Sequence, residues 1–492
     1  MATVIFTNEG GRRFIVGGVS IKYGRELGLR SSKQMSDENA RRVVVMMTKT
    51  CPVIALTVVG LVFLAACNAG GVNIGNAQRP PFAAAPGSPI AVAGGPGDVL
   101  VGDMNNDGNP DLVVACAESR TIVVLIGNGN RSGDRSRSGI VERSGNRNSG
   151  DREGPGNSAA SDGPESNGAD KSSAGNNSFE LFRVTPASTR SVAESPGDMV
   201  LGDVNSDGNL DFAFVSHDSY DVTLLLGDGK GALSPAKNSP IVMKQGQHPH
   251  THGLGIGDLN GDGKLDLATV NNSDNDVSVA FGDGRGNFTI APSSPFPVGP
   301  SPYPLALGDV NNDGRLDIVA TTTATGPLRR QQLPFSRALT LLLNDGRGGF
   351  RKTELPLRTG QPWSVAIGDV NGDRKPDLVA THHEQTELTL LLGDGRGGFT
   401  EAAGSPFNFG RGFQIALADV NRDGYLDAVA AAGNVVRIAL GDGHGNFKPA
   451  LEPFPIGAGS WNLAVSDVNK DGKVDLVTGN SESNTVSVLL GQ

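Results

Sequence analysis

The residues Asp309-Val310-Asn311-Asn312-Asp313-Gly314-Arg315-Leu316-Asp317 are the clearest copy of a nine-residue stretch that occurs seven times in this chain. Every copy has Asp at its first, fifth and ninth positions and Asn at its third. The sixth position is Gly in six copies and Arg374 in the other. Each ninth residue leads into an apolar run, which is Ile318-Val319-Ala320 in this copy. The stretch therefore predicts a loop that enters a β-strand.

The oxygen-rich side chains of this stretch predict a calcium loop. Ca²⁺ is a hard cation that takes about 6–8 oxygen ligands. Alternate side chains of a tight loop point at one centre, and Gly at the sixth position permits the positive φ of a sharp turn. The predicted ligands occupy positions one, three, five and nine. They are Asp103, Asn105, Asp107, Asp111, Asp203, Asn205, Asp207, Asp211, Asp258, Asn260, Asp262, Asp266, Asp309, Asn311, Asp313, Asp317, Asp369, Asn371, Asp373, Asp377, Asp419, Asn421, Asp423, Asp427, Asp467, Asn469, Asp471 and Asp475.

Two other interpretations of the stretch are weaker. An EF-hand needs flanking helices and a bidentate Glu at position twelve. That position holds Val114, Phe214, Thr269, Ala320, Ala380, Ala430 and Thr478, none of which can chelate calcium through a carboxylate. The other interpretation is a set of turns without metal, because Asp, Asn and Gly dominate turns. The retention of all loop Asp residues in seven copies argues against it, since unliganded carboxylates repel one another.

The amino-terminal region predicts export. Arg41, Arg42 and Lys49 precede the apolar run 52–66, which is too short for a membrane span of about 20 residues. The run ends Leu-Ala-Ala-Cys at Cys67, which resembles the lipobox of bacterial lipoproteins. The resemblance implies cleavage before Cys67 and lipidation of its thiol. We expect residues 1–66 to be a leader with a signal peptide, of which 1–45 reflect a mis-assigned start, and 67–80 to be a tether. An uncleaved single membrane anchor is the alternative.

Charge and cysteine content narrow the class of protein. The net charge is −10 and no basic stripe is present, which argues against nucleic acid as a partner. The chain has three cysteines, of which Cys51 lies in the signal and Cys67 is the candidate lipid site. Cys116 is left on an apolar run, so we expect no internal disulfide and a small buried hydrophobic side chain there.

Each repeat predicts four short antiparallel strands. In residues 304–356 a strand enters the loop, a second follows Asp317, a third spans 338–343, and an Asp-Gly turn at 345–346 leads to a fourth from Phe350. Repeats of this kind spaced by 48–60 residues predict an all-β, seven-bladed β-propeller over 81–492.

The two ends of the repeat region are expected to close the ring. The chain stops before the fourth strand of the last copy, and residues 81–90 match the fourth-strand segment 287–296. We therefore expect the amino-terminal strand to complete the last blade, which removes exposed sheet edges. Residues 129–177, which are nearly free of apolar side chains, predict a disordered insertion in the first blade, and 322–337 predict a smaller one.

The paired motifs resemble those of FG-GAP and VCBS repeats, the blades of integrin-α-like propellers. The pairing is Gly-Asp-x-Asn-x-Asp-Gly-x-x-Asp-Leu with Leu-Leu-Gly-Asp-Gly-x-Gly-x-Phe, recurring in phase over residues 80–492. The resemblance implies seven blades, with calcium in the loops that join first and second strands. It also implies binding or adhesion, the role of many relatives. The loop 369–377 departs from the pattern, because Arg374 puts a cation and a Cβ at the turn.

Two sets of residues are candidates for ligand contact. Five residues before the end of each first strand the repeats carry Gly97, Gly197, His252, Tyr303, Trp363, Phe413 and Trp461. Propeller symmetry would place these at one mouth of the channel, where His252, Tyr303, Trp363, Phe413 and Trp461 could stack on sugar rings or peptide side chains. Packing between blades is the alternative role.

Histidines form the second candidate set. His248, His250 and His252 alternate before a first strand and could bind Zn²⁺ or Cu²⁺, with a solvated loop as the alternative. The run His382-His383-Glu384 is similarly ambiguous. The sequence shows no arrangement typical of a Ser/His/Asp triad or a phosphate-binding loop.

These observations predict a non-enzymatic, Ca²⁺-binding propeller of the cell envelope or the extracellular space. We expect it to bind a glycan or an extracellular protein, and to reach the membrane only through an amino-terminal lipid. A hydrolase or lyase with a site at the channel mouth, and a purely structural envelope protein, are the alternatives.

Overall fold

The computed structural model describes residues 2–7, 13–19, 82–129, 181–323, 337–382, 385–449 and 452–492. The chain divides into two units, Met1–Ala77 and Gln78–Gln492. The first contains a two-stranded antiparallel hairpin of β1 (Ala2–Thr7) and β2 (Arg13–Val19). The described residues of the second form strands and turns and contain no helix, so none of these residues provides a membrane-spanning helix.

The second unit consists of seven antiparallel sheets, numbered here as blades 1–7 along the chain. The first strands are β5 (Pro96–Gly102), β9 (Met199–Gly202), β14 (Thr251–Gly257), β19 (Pro302–Gly308), β23 (Pro362–Gly368), β28 (Ile415–Ala418) and β33 (Leu463–Ser466). The second strands are β6 (Asp111–Cys116), β10 (Asp211–Val215), β15 (Asp266–Asn271), β20 (Asp317–Thr322), β24 (Asp377–His382), β29 (Asp427–Ala431) and β34 (Asp475–Asn480). The third strands are β7 (Thr121–Gly127), β11 (Asp221–Gly227), β16 (Asp276–Gly282), β21 (Ala338–Asn344), β25 (Glu387–Gly393), β30 (Gly433–Gly441) and β35 (Thr485–Gly491).

The fourth strand is continuous in blades 1 and 4 and divided in the other five. The continuous strands are β8 (Phe182–Ser191) and β22 (Phe350–Pro356). The divided strands are β12 (Leu233–Pro235) with β13 (Ile241–Val242), β17 (Phe288–Ile290) with β18 (Phe296–Pro297), β26 (Phe399–Glu401) with β27 (Phe407–Asn408), β31 (Phe447–Pro449) with β32 (Phe454–Ser460), and β3 (Phe82–Ala84) with β4 (Ile90–Ala91).

A Ser-Pro pair marks the division in four blades. The cis peptide bonds precede Pro89, Pro240, Pro295 and Pro406. In blade 3 the hydroxyl of Ser294 accepts a hydrogen bond of 3.0 Å from Val279 N, a backbone donor of the third strand. The equivalent serines of the other three blades accept the same type of bond. The serine hydroxyl thus takes the place of the backbone acceptor that is missing where the fourth strand is interrupted.

The ring closes as the sequence predicts. Phe82 to Ala84 pair with Gly491 to Leu489, so the amino-terminal strand is the outer strand of blade 7. First strands of successive blades contact one another all the way round, including β33 with β5. The prediction of an all-β seven-bladed propeller closed in this way is confirmed.

The core lies between neighbouring blades rather than at one centre. The second strand of each blade is buried along its whole length, because both of its faces pack against adjacent sheets. Val99, Val114 and Val477, for example, belong to one cluster that joins blades 1 and 7. Cys116 is buried and free, as predicted, and burial raises the pKa of its thiol to about 11.

Three predictions fall on chain outside the described residues. These are the signal segment and lipidation at Cys67, the tether over 67–80, and most of the insertion over 129–177. Each stays a prediction.

Candidate functional site

The aromatic set and the predicted calcium loops lie at opposite ends of the first strands. About five residues separate Trp363 from Gly368, the residue before the loop, which at about 3.3 Å per residue gives roughly 17 Å. Because the first and second strands are antiparallel, the loop between the second and third strands lies at the aromatic end of each blade. The propeller therefore offers two separate candidate surfaces, called here the loop face and the channel mouth.

On the loop face, the side chains at positions one and three converge in every loop. In blade 4 the backbone N–H of Asp313 donates to Asp309 Oδ1 at 3.0 Å and to Asn311 Oδ1 at 2.9 Å. The N–H of Gly314 donates to Asp309 Oδ2 at 2.7 Å. The same three bonds recur in the other six loops. The first, third and fifth side chains are thus held at the surface with their oxygens on one loop.

The turn at position six has the predicted conformation. Six glycines there have φ between 78° and 89°, and Arg374 has φ of 65°. Arg374 N still donates to Asp369 Oδ2 at 2.7 Å. The exceptional loop therefore keeps the shared backbone geometry with a strained non-glycine residue at the turn.

The ninth Asp has a structural role that the sequence pattern does not reveal. Asp317 is 0% exposed, and its two carboxylate oxygens accept hydrogen bonds from Val310 N at 3.1 Å and Asn344 N at 2.8 Å. All seven copies make the equivalent pair of bonds. The ninth carboxylate therefore links the backbone of the loop to the backbone at the end of the third strand through these two hydrogen bonds.

The ninth carboxylate lies near the other carboxylates of its loop. Burial, with a smaller contribution from the carboxylates of Asp313 and Asp309, raises the pKa of Asp317 to about 6, while the two backbone hydrogen bonds oppose the rise. Asp111, Asp211, Asp266, Asp427 and Asp475 have pKa values raised to about 6 by the same leading cause, and that of Asp377 is raised as well. An oxygen-rich group of like charges is chemically suited to a hard dication.

At the channel mouth, the five predicted side chains meet in one row. Ring centroids lie 3.8 Å apart for His252 and Tyr303, 4.4 Å for Tyr303 and Trp363, and 4.1 Å for Phe413 and Trp461. Trp363 and Trp461, which lie two blades apart, approach to 6.2 Å. The row therefore runs through blades 3–7.

Burial divides the row into packing residues and one open residue. His252, Trp363 and Phe413 are buried, whereas Trp461 is 46% exposed. The Arg411 guanidinium lies 5.2 Å from the Phe413 ring. Packing between blades thus accounts for three of the five residues, and Trp461 alone of the five presents a largely exposed aromatic surface.

In blades 1 and 2 the register of the aromatic set is occupied by Gly97 and Gly197, each followed by an aspartate, Asp98 or Asp198. Gly97 faces open space, with no atom within 4 Å of the position a Cβ would occupy. Burial, followed by the charge of Asp198, raises the pKa of Asp98 to about 8, while a hydrogen bond from Asn462 opposes that rise. Asn462, the residue that follows Trp461, is thus beside a carboxyl group whose pKa is raised. The role of Asp98 and Asp198 at the channel mouth was not predicted from the sequence.

The structure brings the predicted residues His250 and His252 together with His217, which was not predicted as a metal ligand from the sequence. Among the described residues this is the one group of three potential metal-binding His, Cys, Asp or Glu side chains whose ligand atoms all lie within 4.8 Å of one another. The three carboxylates of a loop on the loop face are spread more widely. His217 precedes Asp218 in the turn that follows the second strand of blade 2. This turn lies at the channel-mouth end of the blade, and that position was the signal in the sequence that could have identified His217.

His382, the first residue of the other histidine run, is part of the core. It is 1% exposed and its Nε2 lies 2.7 Å from Thr389 Oγ1, while His383 and Glu384 lie outside the described residues. Burial lowers the pKa of His382 to about 4. Its contacts favour a structural role.

We expect wild-type protein to lose stability relative to a His382→Gln variant as pH falls from about 6.5 to about 4. Below its ordinary pKa of about 6.5 the histidine takes up a proton when the chain unfolds but stays neutral in the folded state, so acid favours unfolding. The differential loss is up to about 3 kcal/mol. Urea unfolding of both proteins at several pH values measures it. A constant difference across this range would contradict the assignment.

Comparison with known proteins identifies the repeats. Residues 203–269, 258–320, 369–430 and 419–478 each match the FG-GAP-like repeat. No curated protein matches the chain.

Solved structures resemble this chain at low sequence identity. BBS1N, from its complex with ARL6DN, has a TM-score of 0.50 at 9% identity, with 84% of this chain and 98% of that chain covered. A lectin from Agrocybe aegerita that recognises non-reducing terminal N-acetylglucosamine has a TM-score of 0.43 at 16% identity, covering 74% and 81%. A catalytically inactive virginiamycin B lyase from Staphylococcus aureus, solved with quinupristin, has a TM-score of 0.42 at 10% identity, covering 80% and 94%.

Proposed function

Since this chain is an FG-GAP-like repeat β-propeller, we propose that it is a non-enzymatic binding module whose recognition surface is the channel mouth around Trp461. The observation that carries the proposal is the contrast within the aromatic row, where Trp461 is 46% exposed above buried neighbours. Large aromatic side chains usually dominate recognition surfaces because they combine a wide apolar face with little conformational entropy to lose.

The groups around Trp461 favour a glycan as the ligand, with an extracellular protein as the second class. Gly97 of blade 1, in the same register as Trp461, has no atom within 4 Å of the position a Cβ would occupy. Asn462 supplies an amide, which can donate and accept hydrogen bonds, and Asp98 supplies carboxyl oxygens that accept them. A stacking face next to a few polar groups is the usual composition of a small-molecule site.

We further propose that Ca²⁺ occupies the loop face. Asp, Asn and Asp at positions one, three and five, together with the buried ninth Asp, form an all-oxygen donor set that fits this ion. The raised pKa of the ninth Asp, whose leading cause is burial and to which the carboxylates of Asp313 and Asp309 add, is consistent with a site that gains from a bound cation. Bound Ca²⁺ would neutralise the charge of these carboxylates and stabilise the loop. Export and attachment through Cys67 complete the proposal, since an envelope location supplies both calcium and extracellular ligands.

We expect Trp461→Ala to weaken ligand binding by about 30-fold, the effect of removing a strong aromatic contact. Glycan-array screening and pull-down with the full chain identify the ligand, and titration calorimetry measures the change. Tyr425→Ala is the matched control, because Tyr425 is a comparably exposed aromatic, 42%, but lies in a loop of the loop face. Equal binding by wild type and Trp461→Ala would refute this recognition surface. Blank array and pull-down results with wild type would favour a purely structural protein.

Trp363→Ala is expected to act on stability instead. Trp363 is 9% exposed between Tyr303 and Phe413, so truncation removes a buried indole and costs about 3–5 kcal/mol of unfolding free energy. Trp461→Ala is expected to cost less than about 1 kcal/mol, because almost half of its side chain already faces solvent. Urea unfolding compares the two variants. Equal losses would mean that Trp461 is a packing residue as well.

A further inference from the structure

Three histidines from two blades converge at the channel mouth. His217 lies in the turn between β10 and β11 of blade 2, whereas His250 and His252 lie at the start of blade 3. One nitrogen of each lies within 4.8 Å of the other two. The Nε2 atoms of His250 and His252 are 2.9 Å apart, and the rings of His217 and His252 meet edge to face at 4.1 Å. The cluster joins two segments that are more than thirty residues apart in the chain.

Backbone hydrogen bonds hold these two segments in place. Thr251 N donates to His217 O at 3.2 Å, and the Thr251 hydroxyl donates to Ser219 O at 2.6 Å. On the other side, Asn272 N donates to His250 O at 2.8 Å. Both chain segments are therefore fixed next to the imidazoles, so the cluster is preorganised rather than assembled from free loops.

A partly exposed carboxylate, that of Asp198, faces the central histidine. Asp198 Oδ2 lies 3.7 Å from His252 Nδ1 and accepts a hydrogen bond of 3.1 Å from Gly253 N. A proton on Nδ1 directed at this carboxylate leaves the lone pair of Nε2 pointing at His250. An imidazole oriented in this way by a carboxylate is the common arrangement behind metal-binding histidines.

We propose that His217, His250 and His252 form a binding site for one divalent transition metal ion of the Zn²⁺ or Cu²⁺ kind, with Asp198 orienting His252. Zn–N bonds of about 2.0–2.1 Å in a tetrahedral site place ligand nitrogens about 3.3 Å apart, so the present separations need only small side-chain shifts. Nitrogen donors select such ions over Ca²⁺, which prefers oxygen. The site therefore differs from the calcium loops in both chemistry and position.

Three protein ligands leave one position of a tetrahedral ion open. His217 is exposed while His252 is buried, so the open position faces the solvent side of the cluster. A water molecule or an anionic oxygen is the ligand class expected there. The buried side is closed by Tyr303, whose ring packs 3.8 Å from that of His252. The ion would thus lie at one end of the aromatic row, accessible from the channel mouth.

Spectroscopic titration of the full chain with Co²⁺ tests the proposal without any glycan or protein ligand. The chain is stripped with a chelator, returned to excess Ca²⁺ to saturate oxygen sites, and then titrated with Co²⁺ followed by Zn²⁺. We expect one equivalent of Co²⁺ with the intense visible bands of tetrahedral coordination, displaced by one equivalent of Zn²⁺. His217→Ala is expected to abolish the bands, and Asp198→Asn to weaken affinity about 10–100-fold.

Matched variants separate this site from adventitious histidine binding. His248→Ala is the control, because His248 belongs to the same His-rich segment but lies outside the cluster, and it is expected to bind like wild type. His217 is chosen first because an exposed residue tolerates truncation, and His250→Gln is the second variant if His217→Ala fails to fold. Absence of tetrahedral Co²⁺ in wild type, or unchanged binding by a folded His217 or His250 variant, would overturn the proposal.

Discussion

Asp317→Ala is expected to lower the free energy of unfolding by about 3–6 kcal/mol, whether or not calcium is present. The substitution removes the acceptor of two buried backbone N–H groups, those of Val310 and Asn344. Each hydrogen bond to a charged group contributes about 1.5–3 kcal/mol, and no water can replace an acceptor at a 0% exposed position. Urea unfolding in EDTA measures the metal-independent loss.

Asp313→Asn is the matched control for this prediction. Asp313 belongs to the same loop but is exposed, and its nearest cation is Arg315 at 3.2 Å. In EDTA we expect its replacement to change stability by less than about 1 kcal/mol, as for most exposed ion pairs. In calcium the same variant should lose stability, because it lacks one proposed ligand. If Asp317→Ala were destabilising only in calcium, the ninth Asp would be a metal ligand without the tie to the third strand.

Removal of calcium is expected to lower the thermal midpoint by about 10 °C or more. An ion present at about 100 times its dissociation constant contributes about 2.7 kcal/mol per occupied loop. Three occupied loops would together contribute about 8 kcal/mol, which is comparable to the whole stability of many domains. Thermal unfolding of the full chain with Ca²⁺ or EDTA, together with metal analysis of the purified protein, makes the measurement.

Two loops provide an internal comparison for the calcium count. Asp313→Asn is expected to reduce the bound calcium by one ion, since its loop follows the repeat pattern throughout. Asp373→Asn is expected to have little effect, because Arg374 places a cation and a Cβ at the turn of that loop where the other six loops have Gly. An unchanged midpoint in EDTA with no bound calcium would mean that all seven loops are turns stabilised by hydrogen bonds alone.

Local patterns were sufficient to predict the architecture. The seven loop motifs, the Asp-Gly turns and the apolar runs between them specify where strands begin and end, because turn chemistry and strand alternation act over a few residues. The match between residues 81–90 and 287–296 predicted the pairing of Phe82 with Gly491. The division of five outer strands was not predicted, although the Ser-Pro pairs that accompany four divisions are visible in the sequence.

The sequence by itself therefore determined the number of blades, the order of strands within each blade, the closure of the ring and the register of the aromatic set. Only the tertiary structure decided which side chains meet. It shows that Trp363 is buried while Trp461 is exposed, and that His217 lies next to His252. It also shows that Asp317 accepts a hydrogen bond from the backbone N–H of Asn344. The physical reason is that repeat patterns encode contacts within a blade. Contacts across the channel and between blades depend on the twist and packing of whole sheets, which no local spacing records.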